Sequence, residues 1–319
     1  MGVIQTRAKV SVALVGVGPT WERHYRGAIQ RLASKLSVRV VCDSVQMRAA
    51  VVSDEYEATP VSCPWSLTQR KDLHAWLILD PGWFDTYPAT LAVQSRRPAL
   101  YGNTFCSSMP GLLRVFQQAH DQGEMLMPEF PQRFSPATIR LRELIATKLG
   151  AVRRVEINQP CPFHQEMDFE RPGSRQSEFI ELIDWSNCIV GSANTSIDFQ
   201  QTPNGLQWNL QFPQRPAKAF APAVTIQSKL AGSPCRIIEC EHGTATISDD
   251  TQIRWQTSSE QADESLSHER SPHEIILDQF CRRALGGLVP VPTVADALHA
   301  ARTAQSALEA MKKSSFDRG

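Results

Sequence analysis

The sequence lacks three features that would assign it to a specialised class of protein. Its 33 Lys and Arg residues balance 33 Asp and Glu residues, so no excess charge attracts nucleic acid or an anionic membrane. None of its 8 cysteines forms a Cys-x-x-Cys pair, which argues against a zinc ribbon or a thioredoxin-like site. The apolar run at 10–17 is too short to span a membrane. We therefore expect a cytoplasmic protein with reduced thiols and no nucleic-acid or membrane partner.

Short apolar runs alternate with helical patterns in the first part of the chain. Strands are predicted at 10–15, 38–42, 58–62, 75–79, 99–101 and 125–127. Helices are predicted at 22–36, 87–95 and 110–121. Strands and helices that alternate at this spacing indicate βαβ units and a parallel sheet. We therefore predict an α/β Rossmann domain at residues 1–127.

The pattern changes after residue 128, where consecutive strands lie between groups of helices. Helices are predicted at 136–148, 178–190, 272–285 and 294–312. Strands are predicted at 152–157, 196–200, 207–212, 223–229, 236–240, 244–247 and 252–255, and residues 257–272 are predicted to be a polar loop. This order predicts an α+β domain at 128–319 with a large, mostly antiparallel sheet. The last helix could pack back against the first domain.

A glycine turn joins the first predicted strand to the first predicted helix. Gly16 permits a tight turn, and Gly18 lets the backbone approach a pyrophosphate at the amino end of the helix. Pro19 and Thr20 continue the turn. Trp21 stands where the dinucleotide fingerprint has its third glycine, so the helix must be displaced or the loop reshaped. The turn predicts a dinucleotide site, and the alternative is a purely structural turn.

The second predicted strand ends at Asp43. A carboxylate at this place accepts hydrogen bonds from the ribose 2′-hydroxyl of a dinucleotide. It would repel a 2′-phosphate, so Asp43 favours NAD over NADP. The alternative interpretation is an ordinary surface aspartate.

Six segments, in the right order, resemble the Gfo/Idh/MocA oxidoreductases, the family of glucose–fructose oxidoreductase and inositol dehydrogenase. They are the strand end at 79–83, the triplet at 102–104, the Arg-Phe-x-Pro segment at 131–136, the Gly-x-Val segment at 149–152, the helix containing 181–184 that closes at Gly191, and the alanine-rich helix at 294–312. The resemblance covers nearly the whole chain. It implies that the second sheet is open-faced, that the cofactor is NAD or NADP, that the substrate is carbohydrate-like, and that the protein forms a homodimer or homotetramer.

The same resemblance implies further residues at the cofactor. Asp80, Pro81 and Trp83 follow the fourth predicted strand, and Gly102 opens the triplet after the fifth. Trp83 also lies where ligands gather in open α/β sheets, at the carboxyl end of a strand.

The departures from the family are concentrated at the positions that carry its chemistry. Asn103 replaces the family's lysine, and Glu181 replaces its histidine, whereas Asp184 matches. An asparagine cannot supply the positive charge that polarises a carbonyl. Glu181 could act as a general base beside Asp184, because their i, i+3 spacing puts both on one helix face. The alternative is a solvated or salt-bridged helix face.

Two functions therefore remain open. One is an NAD(P)-dependent oxidoreductase that acts on a sugar, polyol or related hydroxy compound through Asp184, Glu181 and Asn103. The other is a member that has lost hydride transfer and binds a nucleotide or sugar as a sensor or structural partner. His164, Glu166 and Asp168 form a polar cluster, but loop spacing alone does not predict convergent ligands, and we expect no metal site.

Overall fold

The structure is a computed structural model of the chain, and it describes residues 9–102, 104–106, 108–159, 176–203, 205–214, 220–229 and 233–316. The chain divides into two compact units. The described part of the first unit lies within Met1–Glu129 and His273–Leu298. That of the second lies within Phe130–Pro272 and His299–Gly319.

A parallel sheet forms the centre of the first unit. Its strands are β1 (Val10–Val15), β2 (Leu36–Cys42), β3 (Thr59–Val61), β4 (Ala75–Ile78), β5 (Ala99–Tyr101) and β6 (Leu126–Pro128). Their order is β3-β2-β1-β4-β5-β6, and all neighbours are parallel, which confirms the predicted α/β class. Strands β2 and β3 are added on one side of β1, and β4 to β6 on the other, so the strand order reverses between β1 and β4. Open α/β sheets bind ligands at the carboxyl ends of the strands beside such a point.

Five helices between Arg26 and Gln122 connect these strands. They are α1 (Arg26–Arg31), α2 (Gln46–Tyr56), α3 (Trp65–Thr68), α4 (Tyr87–Gln94) and α5 (Met109–Gln122). The prediction of one helix at 22–36 was wrong in its extent, because a π-helical turn (Trp21–Tyr25) precedes α1 and β2 already begins at Leu36. The helix α2 was not predicted, since its apolar residues Met47 and Val51 are exposed and blur the helical pattern.

An eight-stranded sheet forms the second unit. Its strands are β7 (Val152–Gln159), β8 (Ser196–Thr202), β9 (Gly205–Gln211), β10 (Ala223–Lys229), β11 (Cys235–Cys240), β12 (Gly243–Asp249), β13 (Gln252–Thr257) and β14 (Gln261–Ser265). Their order is β14-β13-β12-β11-β7-β10-β9-β8. Only β7 and β10 pair in parallel, so the sheet is mostly antiparallel, as predicted.

The edge strand β14 corrects the prediction of a loop at 257–272. Its residues pair with β13 from Gln252↔Ser265 to Gln256↔Gln261. Its side chains alternate between exposed and half-buried, and they carry almost no apolar surface. A polar edge strand gives no hydrophobic alternation, so the sequence pattern could not reveal it.

The remaining helices are α6 (Pro136–Leu144), α7 (Gln176–Val190), α8 (Pro272–Ala284) and α9 (Val294–Phe316). From His273 onwards, α8 belongs to the first unit. It is held there by ion pairs of Glu274 with Arg31 and of Asp278 with Lys35, and its Phe280 is fully buried.

Candidate functional site

Only a glycine fits at position 16 of the turn after β1. Gly16 has a φ of +80°, and a Cβ atom there would lie 1.8 Å from the carbonyl oxygen of Asp80. The Gly16 N–H donates to the Cys42 carbonyl over 2.8 Å, so the turn is tied to the end of β2. The backbone of the turn therefore passes directly against the backbone of Asp80, just beyond the end of β4.

The carboxylate of Asp80 caps the helix that follows this turn. Its Oδ2 accepts the backbone N–H of Trp21 over 2.9 Å. A Cβ atom on Gly18 would lie 3.1 Å from the same carboxylate. Pro19 has no N–H to offer. The acidic side chain thus takes a donor of the first helical turn, where a bound anion is otherwise expected.

Trp21 is buried at the start of a widened helical turn. Its side chain is 2% exposed, and Arg26 lies over its ring at 5.4 Å. The N–H of Arg26 bonds to the Trp21 carbonyl, an i to i+5 contact that defines the π-helical turn. The reshaping expected from a tryptophan at the third glycine position is located in this turn.

Asp43 is buried and bonded to the chain itself. Its Oδ2 accepts the N–H of Val17 over 2.9 Å, and its Oδ1 accepts the N–H of Val45 over 2.7 Å. Oδ1 also pairs with Arg48 at 3.0 Å. A ribose hydroxyl at this position would share the carboxylate with these donors. Arg48 partly neutralises the charge that would repel a 2′-phosphate, so this geometry leaves the choice between NAD and NADP open.

The other predicted cofactor residues lie at the ends of β4 and β5. Pro81 is buried, whereas Trp83 is 93% exposed on a short 3₁₀ turn. Gly102 is buried, and its N–H donates to the Ile78 carbonyl over 2.7 Å. Asn103 lies outside the described residues, as do His164, Glu166 and Asp168.

A polar cluster at the same edge of the sheet was not predicted; Tyr25 and Glu129 are buried in it, whereas His273 is half-buried and His24 is exposed. Glu129 follows β6 and accepts the hydroxyl of Tyr25 over 2.5 Å, and Nε2 of His273 lies 3.2 Å from the same oxygen. His273 stacks on His24 at 4.4 Å between ring centroids. Burial raises the pKa of Tyr25 well above its usual range, with a further contribution from Glu129. Burial, then His273, lowers the pKa of His24. The cluster joins residues about 250 positions apart, which sequence spacing cannot reveal.

In the second unit, Asp184 forms a buried ion pair with Arg133. The two Asp184 oxygens accept from Nε and Nη2 of Arg133 over 2.6 and 2.5 Å. The carboxylate side chain is 2% exposed and that of Arg133 is 16% exposed. Arg133 belongs to the Arg-Phe-x-Pro segment, so two of the predicted motifs meet in this contact.

Glu181 is linked to this pair by Gln132, the residue before Arg133. Oε2 of Glu181 accepts a hydrogen bond from the side-chain amide of Gln132 over 3.3 Å. The side-chain oxygen of Gln132 accepts one from Nη2 of Arg236 over 2.6 Å. The Arg236 guanidinium lies over the Trp185 ring at 4.5 Å. Burial lowers the pKa of Arg236, and Asp250 and Glu181 oppose this shift. Glu181 and Asp184 thus both face the turn Pro131–Phe134, in an arrangement of opposite charges.

The described residues contain neither a metal cluster nor a membrane helix. No group of three or more His, Cys, Asp or Glu side chains is arranged there to hold a metal ion. Every helix in these ranges is too short or too polar to cross a bilayer.

The glycine turn lies at the carboxyl ends of β1 and β4, where a dinucleotide diphosphate binds in open α/β sheets. Because Gly16 and Gly18 lack a Cβ atom, the turn approaches Asp80 closely. The negative charge of Asp80 opposes a phosphate at the same helix end, because its carboxylate already holds the Trp21 N–H. A phosphate at this helix end therefore requires the Asp80 side chain to move away.

Comparisons with known proteins identify the fold. No protein-family model matches the sequence, and no curated protein matches it. An aldose-aldose oxidoreductase from Caulobacter crescentus, solved with glycerol, is similar with a TM-score of 0.74 at 14% identity, over 96% of this chain and 98% of that one. A Gfo/Idh/MocA family oxidoreductase from Vibrio cholerae has a TM-score of 0.71 at 13% identity, over 96% and 100% of the two chains.

A 3-ketoreductase mutant from Actinomadura kijaniata, solved with NADP, has a TM-score of 0.67 at 14% identity, over 95% of this chain and 98% of that one. These similarities extend over both units, and each of the three chains is covered almost completely. The protein described here has the two-domain fold of the Gfo/Idh/MocA oxidoreductases.

Proposed function

We propose that this chain is an oxidoreductase that uses NAD or NADP and acts on a sugar, polyol or related hydroxy compound. The observation that carries the proposal is the glycine turn after β1, where a side chain at position 16 would overlap the backbone of Asp80. The fold supports it, because structures similar over 95% or more of this chain include an aldose-aldose oxidoreductase and a 3-ketoreductase in complex with NADP.

The residues of the first unit would hold the cofactor. Gly16 and Gly18 would admit its diphosphate, and Thr20 lies at the start of the helix beside them. Asp43 and Arg48 would face the adenosine ribose at the end of β2. When bound, the nicotinamide ring would accept or donate the hydride.

The residues of the second unit would handle the substrate hydroxyl. Oε2 of Glu181 accepts the amide of Gln132, and we assign Glu181 the proton of the substrate hydroxyl. Asp184 would orient the substrate together with Arg133. Asn103 would orient the nicotinamide ring or a second hydroxyl.

A second candidate function is a binding protein without hydride transfer, which recognises a nucleotide or sugar as a sensor or structural partner. The ion pair between Arg133 and Asp184 favours it, because both oxygens of the only matching family carboxylate are engaged. The cap of Asp80 on the Trp21 N–H favours it too.

Thermal unfolding with NAD⁺, NADH, NADP⁺ and NADPH tests the cofactor. We expect at least one of the four to raise the melting temperature, since a ligand that binds the native state stabilises it. Unchanged melting with all four at millimolar concentration would remove the cofactor from the proposal.

Absorbance of NADH or NADPH with a panel of sugars and polyols then tests turnover. Glu181→Gln and Asp184→Asn should each lower the rate by roughly tenfold or more, consistent with the loss of a general base or an orienting group. Glu178→Gln removes an exposed carboxylate from the same helix and should leave the rate unchanged. Binding without turnover on any substrate would favour the second candidate.

We further propose that the protein is cytoplasmic and assembles as a homodimer or homotetramer, without nucleic-acid or membrane partners. Sedimentation at micromolar concentration tests the assembly. A species with the mass of one chain would contradict it.

A further inference from the structure

The backbone of Asp80 packs against β1 and the glycine turn, whereas its side chain reaches the first helix. Its carbonyl lies against Gly16, and the Leu79 N–H before it donates to the Val15 carbonyl over 2.9 Å. The side chain is half-buried, and its carboxylate reaches the N–H of Trp21 at 2.9 Å. A rotation of the Asp80 side chain would therefore free this N–H and leave β4 in place.

The contact satisfies the helix in the same way as a ligand anion would. The helical run 21–31 presents the positive end of its dipole to the carboxylate, and the N–H of Trp21 is one of its first donors. Gly18 leaves 3.1 Å between a virtual Cβ atom and the carboxylate, so the acid lies directly against the turn. Two anions cannot share this place, because both would lie at the same N–H and repel each other.

We propose that Asp80 is an intramolecular competitor for the diphosphate of the cofactor. This inference rests on the proposed function. The Asp80 carboxylate occupies the phosphate position when the cofactor is absent, and it leaves the Trp21 N–H when the cofactor binds. The cofactor therefore binds more weakly than the shape of the turn allows, and Asp80 sets its affinity.

Binding of NADH and NADPH, measured by isothermal titration of the full chain, tests this role. Asp80→Asn keeps the size of the side chain and removes its charge. We expect it to bind the better of the two cofactors at least tenfold more tightly than the natural chain does. Asp72→Asn is the matched control, because Asp72 is an exposed carboxylate before β4 and its loss changes the net charge equally. It should leave the affinity unchanged.

Asp80→Thr provides a second variant, since threonine caps helices without a charge. Its melting temperature and that of Asp80→Asn show whether each variant is folded. Tighter binding by either folded variant supports the role of Asp80. Equal or weaker binding by both folded variants, with measurable binding by the natural chain, would overturn that role and leave the proposed function intact. An absence of binding by all three proteins at millimolar cofactor would overturn both.

Discussion

Replacing Arg133 by methionine should destabilise the second unit strongly. The substitution breaks the bidentate pair of Arg133 with Asp184, whose side chain is 2% exposed. Breaking a buried ion pair on one side costs about 3 kcal/mol, which corresponds to roughly a hundredfold in the opening equilibrium. Hydrogen exchange of peptides from α7 measures this opening free energy in the second unit alone.

The matched control is Arg254→Gln, which breaks an exposed pair in the same unit. Arg254 bonds to Asp263 through Nε and Nη2, and the two side chains are 75% and 57% exposed. An exposed pair contributes about 0.5 kcal/mol, so exchange should change little. The double variant Arg133→Met with Asp184→Leu should recover at least half of the lost stability, because it removes both buried charges.

The reasoning fails if Arg133→Met and Arg254→Gln accelerate exchange equally. It also fails if the double variant is less stable than Arg133→Met, since the loss would then come from packing and not from the broken ion pair.

Three further predictions concern the first unit. Gly16→Ala should destabilise the protein by about 3 kcal/mol or more in urea unfolding, because the new Cβ atom meets the Asp80 backbone at a positive φ. His24 has a lowered pKa in the folded state, so its contribution to stability is lost as the pH falls below about 6.5. His24→Gln should therefore lose less melting temperature between pH 7.5 and pH 5.5 than the natural chain. Arg48→Ala should weaken NADPH binding several-fold more than NADH binding in calorimetry, because the charge of Asp43 is no longer compensated.

The predictions for Gly16 and His24 each have a control variant. Gly123→Ala introduces a side chain at a φ of +68° with nothing within 4 Å, so only about 1 kcal/mol of backbone strain is expected. His268→Gln changes a 74% exposed histidine side chain and should keep the acid sensitivity of the natural chain. Equal losses of NADH and NADPH affinity in Arg48→Ala would contradict a role for its charge at the ribose.

The sequence pattern predicted most of the fold, because buried strands carry a strong signal. The run at 10–15 became β1 with the same bounds, since almost all of its residues are buried. The helix α2 was not predicted because Met47 and Val51 are exposed to solvent, and β14 was not predicted because its residues are polar. The strand β14 is defined by its pairing with β13 rather than by its own composition.

The sequence proposes candidate site residues but does not reveal the contacts between them. Gly16, Asp80 and Asp184 were identified from motifs. The cap of Asp80 on Trp21 joins residues 59 positions apart, and the pair of Arg133 with Asp184 joins residues 51 positions apart. Such contacts depend on how the strands and helices pack, which spacing along the chain does not encode.

The ion pairs of α8 affect the order in which the chain can fold during synthesis. Arg31 and Lys35 emerge from the ribosome 243 residues before their partners Glu274 and Asp278. Until the second sheet and α8 have been synthesised, the nascent first unit therefore lacks the partners of these two cations and the apolar side chains of α8. A fragment ending at Glu129 would lack the buried Ile276, Leu277 and Phe280. The first unit is thus continuous in space but becomes complete only after Leu298 has been synthesised.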